Sequence, residues 1–222
     1  YVSDENSNLL SIIQNEIDGG KNFSINSNII NFTDTDNLSA QLLASDFFFM
    51  TDMEREDPTD DNFLPTAAKD ILKAFVQDGG KIVQTGTYGN KDVNFLNTIF
   101  DFNLVSTSGS SWDKNSSNTA GTSFDSGPDS LSYSSATDSI NASSITNGSY
   151  VSYYGDSSNS VLGEISYGSG AIYFVGFDFF NAGFATDWGS GSHSAGSQNT
   201  SPYVTFALPA MLEAAANNTP TG

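Results

Sequence analysis

The sequence predicts an α/β protein in which a parallel sheet is covered by helices. Three observations support this. Over 64–78, Leu64, Ala68, Ile71, Leu72, Phe75 and Val76 recur at the three- and four-residue spacing of an amphipathic helix. Gly79 and Gly80 supply the left-handed stop, and Ile82 and Val83 centre a short strand over 81–85. Gly86-Thr87-Tyr88-Gly89 then turns into a second helix over 91–100, with Val93, Leu96, Ile99 and Phe100 as its apolar face. A helix–strand–turn–helix unit of this kind belongs to a parallel sheet. Pro65 suits a first helical turn, where no N–H is needed, and Asn90 is placed to cap the second helix.

Taken in order, residues 1–3 read as the end of a first strand and 8–17 as a helix closed by Gly19-Gly20. Residues 23–32 are ambiguous, with Ile29, Ile30 and Phe32 forming a short strand in one reading. A short helix follows over 36–44. The run Phe47-Phe48-Phe49-Met50 within 45–51 has the continuous apolar character of a strand buried on both sides. After the central unit, 102–105 reads as a strand. From 106 to 147 the chain is rich in Ser, Gly, Asn and Thr, but Trp112, Phe124, Leu131, Tyr133, Ile140 and Ile145 recur along it. Such anchors predict an ordered, loop-rich insertion rather than a disordered linker. Strands over 150–154, 161–166 and 171–176, separated by turns, read as an antiparallel meander. A long aromatic and glycine-rich loop spans 177–200. Ser201-Pro202 opens a last helix that Pro209 kinks or restarts. Residues 1–217 form one domain in this reading, and 218–222 begin a linker.

The 222 residues suffice for a sizeable core without staples. Seven basic residues against 26 acidic ones give a formal net charge of −19, which argues against nucleic acid and anionic membranes as partners. The same charge admits divalent cations or serves as a solvated surface. No cysteine is present, so disulfides, thiolate metal sites and a cysteine nucleophile are excluded. No stretch reaches the roughly 20 apolar residues of a membrane span. The composition suggests a secreted or cell-surface bacterial protein, and the chain reads as a piece of a larger one with neighbouring domains.

The segments LLASDFFFMTDME, AAKDILKAFVQDGGKIVQTGTYG and GEISYGSGAIYFVGFDFF, within 36–216, resemble the class I glutamine amidotransferase-like superfamily, in its extracellular bacterial members. The resemblance implies a flavodoxin-like three-layer sandwich: a mostly parallel sheet, helices on both faces and late antiparallel strands. Enzymes of that family carry a nucleophilic cysteine on the turn that is Gly86-Thr87-Tyr88-Gly89 here. They carry a catalytic His and Glu where this chain has Phe177-Asp178-Phe179. The glycine scaffold is kept and the nucleophile is missing.

In open α/β sheets ligands gather at the carboxyl ends of strands, where the loops 52–61, 86–90 and 177–200 would meet. The first holds Asp52, Glu54, Glu56, Asp57, Asp60 and Asp61 around Arg55. The hard oxygens of Asp52, Glu54, Glu56 and Asp57 are suited to Ca²⁺, although the spacing is not that of an EF-hand, and a solvated acidic loop explains them too. Tyr88, Thr87, Asp178, Asp187, Trp188 and His193 form the ligand-binding candidates. Aromatic faces with carboxylates nearby grip sugars, but such rings also anchor long loops. Thr87 as a nucleophile would need a base, and His193 is the single histidine. The expectation is a non-catalytic binding or structural module for a small molecule or glycan, with Ca²⁺ ordering the acidic loops. The alternative is an altered hydrolase or transferase acting on carbohydrate or amide substrates in the same cleft.

Overall fold

The structure, a computed structural model, describes residues 3–25, 31–51, 53, 56–134, 137–179 and 201–217. Helix α1 (Ser3–Asp18) is followed by α2 (Thr35–Leu43), β1 (Phe47–Met50), α3 (Thr66–Gln77), β2 (Lys81–Thr85) and α4 (Lys91–Phe100). The insertion and meander supply β3 (Val105–Thr107), β4 (Ser111–Asp113), α5 (Ser116–Thr119), β5 (Ser130–Ser132), β6 (Ser139–Asn141), β7 (Ser149–Asp156), β8 (Asn159–Tyr167) and β9 (Gly170–Val175). A π-helical turn, Tyr203–Ala207, leads into α6 (Leu208–Asn217).

The fold is α/β around a mixed seven-stranded sheet in the order β1-β2-β9-β8-β6-β3, with β7 also paired to β8. Among the described residues parallel pairing is confined to β1-β2-β9, where Phe48 faces Ile82 and Ile82 faces Ile172. Most of the strand content is antiparallel, so the expected mostly parallel sheet holds only for that part. The reason is connection length. β7, β8 and β9 are joined by turns too short for a crossover, which leaves antiparallel neighbours as the only option. The insertion adds β3 and β6 to the far side, again antiparallel, and folds β4 on β5 as a separate pair.

Alternation along the central strands divides the core in two. Phe48, Met50, Ile82, Ile172 and Phe174 pack with Leu38 of α2, Leu72 and Val76 of α3, and Phe95 and Leu96 of α4. Val83, Tyr173 and Val175 instead pack with Ile12 and Ile13 of α1, Met211 and Leu212 of α6, and Trp112, Phe124 and Leu131 of the insertion. The anchors expected to order 106–147 are therefore mostly in the core, whereas Tyr133 is exposed. Among the described residues no helix is long and apolar enough to cross a membrane.

Several local expectations are revised. Ser3 is the first residue of α1 and not the end of a strand, while Tyr1 and Val2 lie outside the described residues. Phe32 sits in a turn with its ring buried among Phe48, Phe63 and Phe95, and Ile29 and Ile30 lie outside the described residues. The strand expected over 102–105 begins only at Val105, because Phe102 and Leu104 turn inward to the core. Asn90 does precede α4 but takes a left-handed conformation, φ 59°, and makes no side-chain cap. Leu208 N–H donates to Tyr203 O, so the last helix changes from π to α just before Pro209. The Gly79-Gly80 stop is as expected: Gly80 N–H donates to Phe75 O and Gly79 has φ 111°.

Candidate functional site

The carboxyl ends of β1, β2 and β9 lie side by side because these strands are parallel and in register. The turn after β2 is fastened to both neighbours. Gly86 N–H donates to Val175 O (2.8 Å) and Phe177 O (3.1 Å). A Cβ at Gly86 would stand 2.8 Å from Phe177 N, so only glycine allows this approach. On the other side Met53 N–H donates to Thr87 Oγ1 (3.2 Å), and Lys91 Nζ donates to Met53 O (3.2 Å). The loops at 52–61 and 86–90 thus meet, and the start of the 177–200 segment meets them.

This fastening decides what the turn presents. Thr87 is 3% exposed with its hydroxyl oxygen turned in to Met53, whereas Tyr88 is 65% exposed at the tip. Gly89 (φ 76°) and Asn90 (φ 59°) provide two successive left-handed residues that reverse the chain into α4. Asp178 is half-buried between Phe177 and Phe179, whose rings pack edge-on at 5.0 Å; Phe177 also stacks on Tyr203 at 4.7 Å. Asp187, Trp188 and His193 lie outside the described residues, as do Asp52 and Glu54.

Of the acidic loop, Glu56 is half-buried and Asp57 exposed. Asp57 Oδ1 accepts from Thr59 Oγ1 (2.7 Å) and Thr59 N–H (2.9 Å), and these bonds hold its carboxyl below the ordinary value. Asp60 Oδ1 accepts from Asn62 N–H and Nδ2, and Asp61 pairs with Lys69 at 2.8 Å. Asp57 and Asp60 are engaged in local turns and Asp61 in an ion pair to α3. Among the described residues no three acidic or histidine side chains form a metal-holding group.

The residue that sequence reasoning missed is Asp92. Its side chain is fully buried at the start of α4, and Oδ1 accepts from Val93 N–H at 2.7 Å. Asp92 thereby serves the helix end that Asn90 leaves uncapped. Oδ2 accepts no hydrogen bond among the described residues. Burial pushes this carboxyl up to about 8, with Asp138 adding to the rise, while the amides of Val93, Asp92 and Thr87 oppose it. Asp138 sits at the end of β9, its N–H donating to Gly176 O (2.9 Å) and its Oδ1 accepting from Ser106 Oγ (3.3 Å). Its carboxyl too is raised by burial, against the Ser106 bond. A signal for Asp92 existed in the sequence: positions 92, 95, 96 and 99 share one helix face, and the other three are Phe, Leu and Ile. No local pattern marks Asp138.

No protein-family model matches the chain, and no curated protein matches it in sequence.

Proposed function

We propose that this chain is a non-catalytic binding or presenting module of a larger bacterial secreted or cell-surface protein. In this reading it is a flavodoxin-like, class I amidotransferase-like domain that engages a small molecule or glycan at the carboxyl ends of β1, β2 and β9. The observation that carries the reading is the side-chain arrangement of the turn after β2. Thr87, at the place where the resembled enzymes hold their nucleophile, faces inward, and the turn offers the ring of Tyr88 instead. An exposed aromatic face beside acidic loops suits stacking on a sugar ring with carboxylates accepting its hydroxyl hydrogens.

The test is a glycan array followed by calorimetry on whichever oligosaccharide binds, with the wild-type chain and Tyr88→Ala. The variant is expected to bind at least about tenfold more weakly while its unfolding free energy changes by less than about 0.5 kcal/mol, because the ring is exposed. Equal affinity for both proteins would sink the proposed platform.

Calcium enters this reading through Asp52, Glu54, Glu56 and Asp57. Thermal unfolding in EDTA and in millimolar Ca²⁺ at fixed ionic strength is expected to differ by roughly 4 °C if the loop holds the ion. Equal midpoints, or the same rise with Mg²⁺, would leave the loop as a solvated surface.

A second reading, an altered hydrolase or transferase on carbohydrate or amide substrates, is favoured by one feature. Asp92, a carboxyl displaced toward neutral pH, stands in the first turn of α4, two residues beyond the same turn. Release of chromophore from aryl glycosides or aryl amides, abolished in Asp92→Asn, would establish it.

A further inference from the structure

We propose that Asp92 and Asp138 form a proton-sensitive latch under the 86–90 turn: with a proton on Asp92 the turn is closed and Tyr88 presented, and loss of that proton loosens the turn. The proposal goes beyond the binding reading and does not depend on it.

The geometry is specific. Asp92 is sealed from water, and one of its oxygens accepts no hydrogen bond among the described residues. A neutral carboxyl tolerates that position, but a charged one leaves an uncompensated buried oxygen. Val93 N–H donates to the carboxyl from the helix, and the backbone of Thr87 in the turn acts on it to favour the charged form, so the group is sensitive to both turn and helix.

Among the described residues the charged groups near it are otherwise engaged. Asp138, from the segment leading into β6, acts on Asp92 as a like charge. Lys91 donates to Met53 O and faces Asp57. On α3, Lys69 pairs with Asp61 and Lys73 with Asp101. An ionised Asp92 thus meets repulsion from Asp138 and no opposing cation among the described residues, and hydration by water entering through the turn is the direct relief. The turn is the part able to yield. It holds consecutive left-handed residues and is fastened by a few bonds, Met53 to Thr87, Lys91 to Met53 and Gly86 to β9.

The experiment is a nuclear magnetic resonance titration of the whole chain from about pH 6 to about pH 9.5. It follows the side-chain carboxyl carbon of Asp92 and the backbone amides of Thr87, Tyr88, Gly89, Asn90 and Lys91. The expected result is that carboxyl and amides titrate together with a midpoint near 8. Asp138→Asn is expected to lower that midpoint by roughly half a unit or more, since it removes the like charge. Asp92→Asn is expected to remove the amide titration while the rest of the spectrum stays native. Turn amides that stay still while Asp92 titrates would overturn the latch, as would the same amide movement in Asp92→Asn. If that variant does not fold, the wild-type and Asp138→Asn midpoints decide. A chain that binds no sugar but shows the joint titration retains the latch and loses only the binding reading.

Discussion

Replacing Gly176 with alanine is expected to abolish cooperative folding. A Cβ there would lie 1.9 Å from Asp138 O and 2.9 Å from Asp138 C, which are backbone atoms and cannot swing aside. Neither partner has slack. Gly176 N–H donates to Val161 O at 2.8 Å, and Gly176 O accepts from Asp138 N–H at 2.9 Å. Accommodating one methyl group therefore means detaching the 137–138 segment from the end of β9. That would also uncover Asp138 and pull apart the pairing of Thr137 with Phe177. The cost is expected to exceed about 4 kcal/mol, a large share of the roughly 5–15 kcal/mol available to a domain. The control is Gly89→Ala. Nothing lies within 4 Å of a Cβ at Gly89, so only its φ of 76° resists the change, a cost of about 1 kcal/mol. Urea denaturation followed by circular dichroism separates the two. A Gly176→Ala protein with the wild-type midpoint would mean that 137–138 does not cross the strand end as described.

The contrast between these glycines shows what the sequence made legible. Gly79, Gly80 and Gly89 sit beside helix boundaries, so their role in turning the chain could be read from the periodic residues on either side. Gly176 acts through a contact 38 positions away in the chain, with Asp138, and no local pattern encodes it. The same division runs through the fold. Strand β2 was readable to the residue because its two apolar residues lie between unmistakable turn signals. The periodic signal of α1 starts only at residue 8, since 3–7 are polar, whereas the helix begins at Ser3. The pairing direction of the late strands followed from their short connections, but which strand borders which did not. Thr87 and Tyr88 lie in the turn after β2 that the glycines predict. Their opposite fates, one exposed and one buried, depend on the Met53 amide that captures the threonine. The apolar periodicity of α4 does not account for Asp92, and a charged residue on a buried face breaks local expectation. Such breaks are where function or strain is to be sought.

The stability of this chain is expected to fall as pH rises from about 4 to about 8, and Asp92→Asn to flatten that fall. The sign follows from where the proton is held. The folded carboxyl is raised from 3.8 to about 8, so between those values the folded protein keeps a proton that the unfolded chain has released. Stability from this group is fully present below about pH 4 and is lost as pH climbs through the folded value. Asp138, raised by its own burial, acts in the same direction. Asp57 acts oppositely, but its carboxyl is fully solvated and contributes little. Asparagine at 92 keeps an oxygen for Val93 N–H and carries no charge at any pH. Between about pH 5 and about pH 8 the unfolding free energy of the wild type is expected to drop relative to the variant by roughly 4 kcal/mol. Urea titrations of both proteins at those two values give the difference directly, and a shared dependence on the many surface carboxylates cancels in it. Parallel pH profiles would place the Asp92 carboxyl in contact with water and remove the basis for both the latch and the acid role of the second reading.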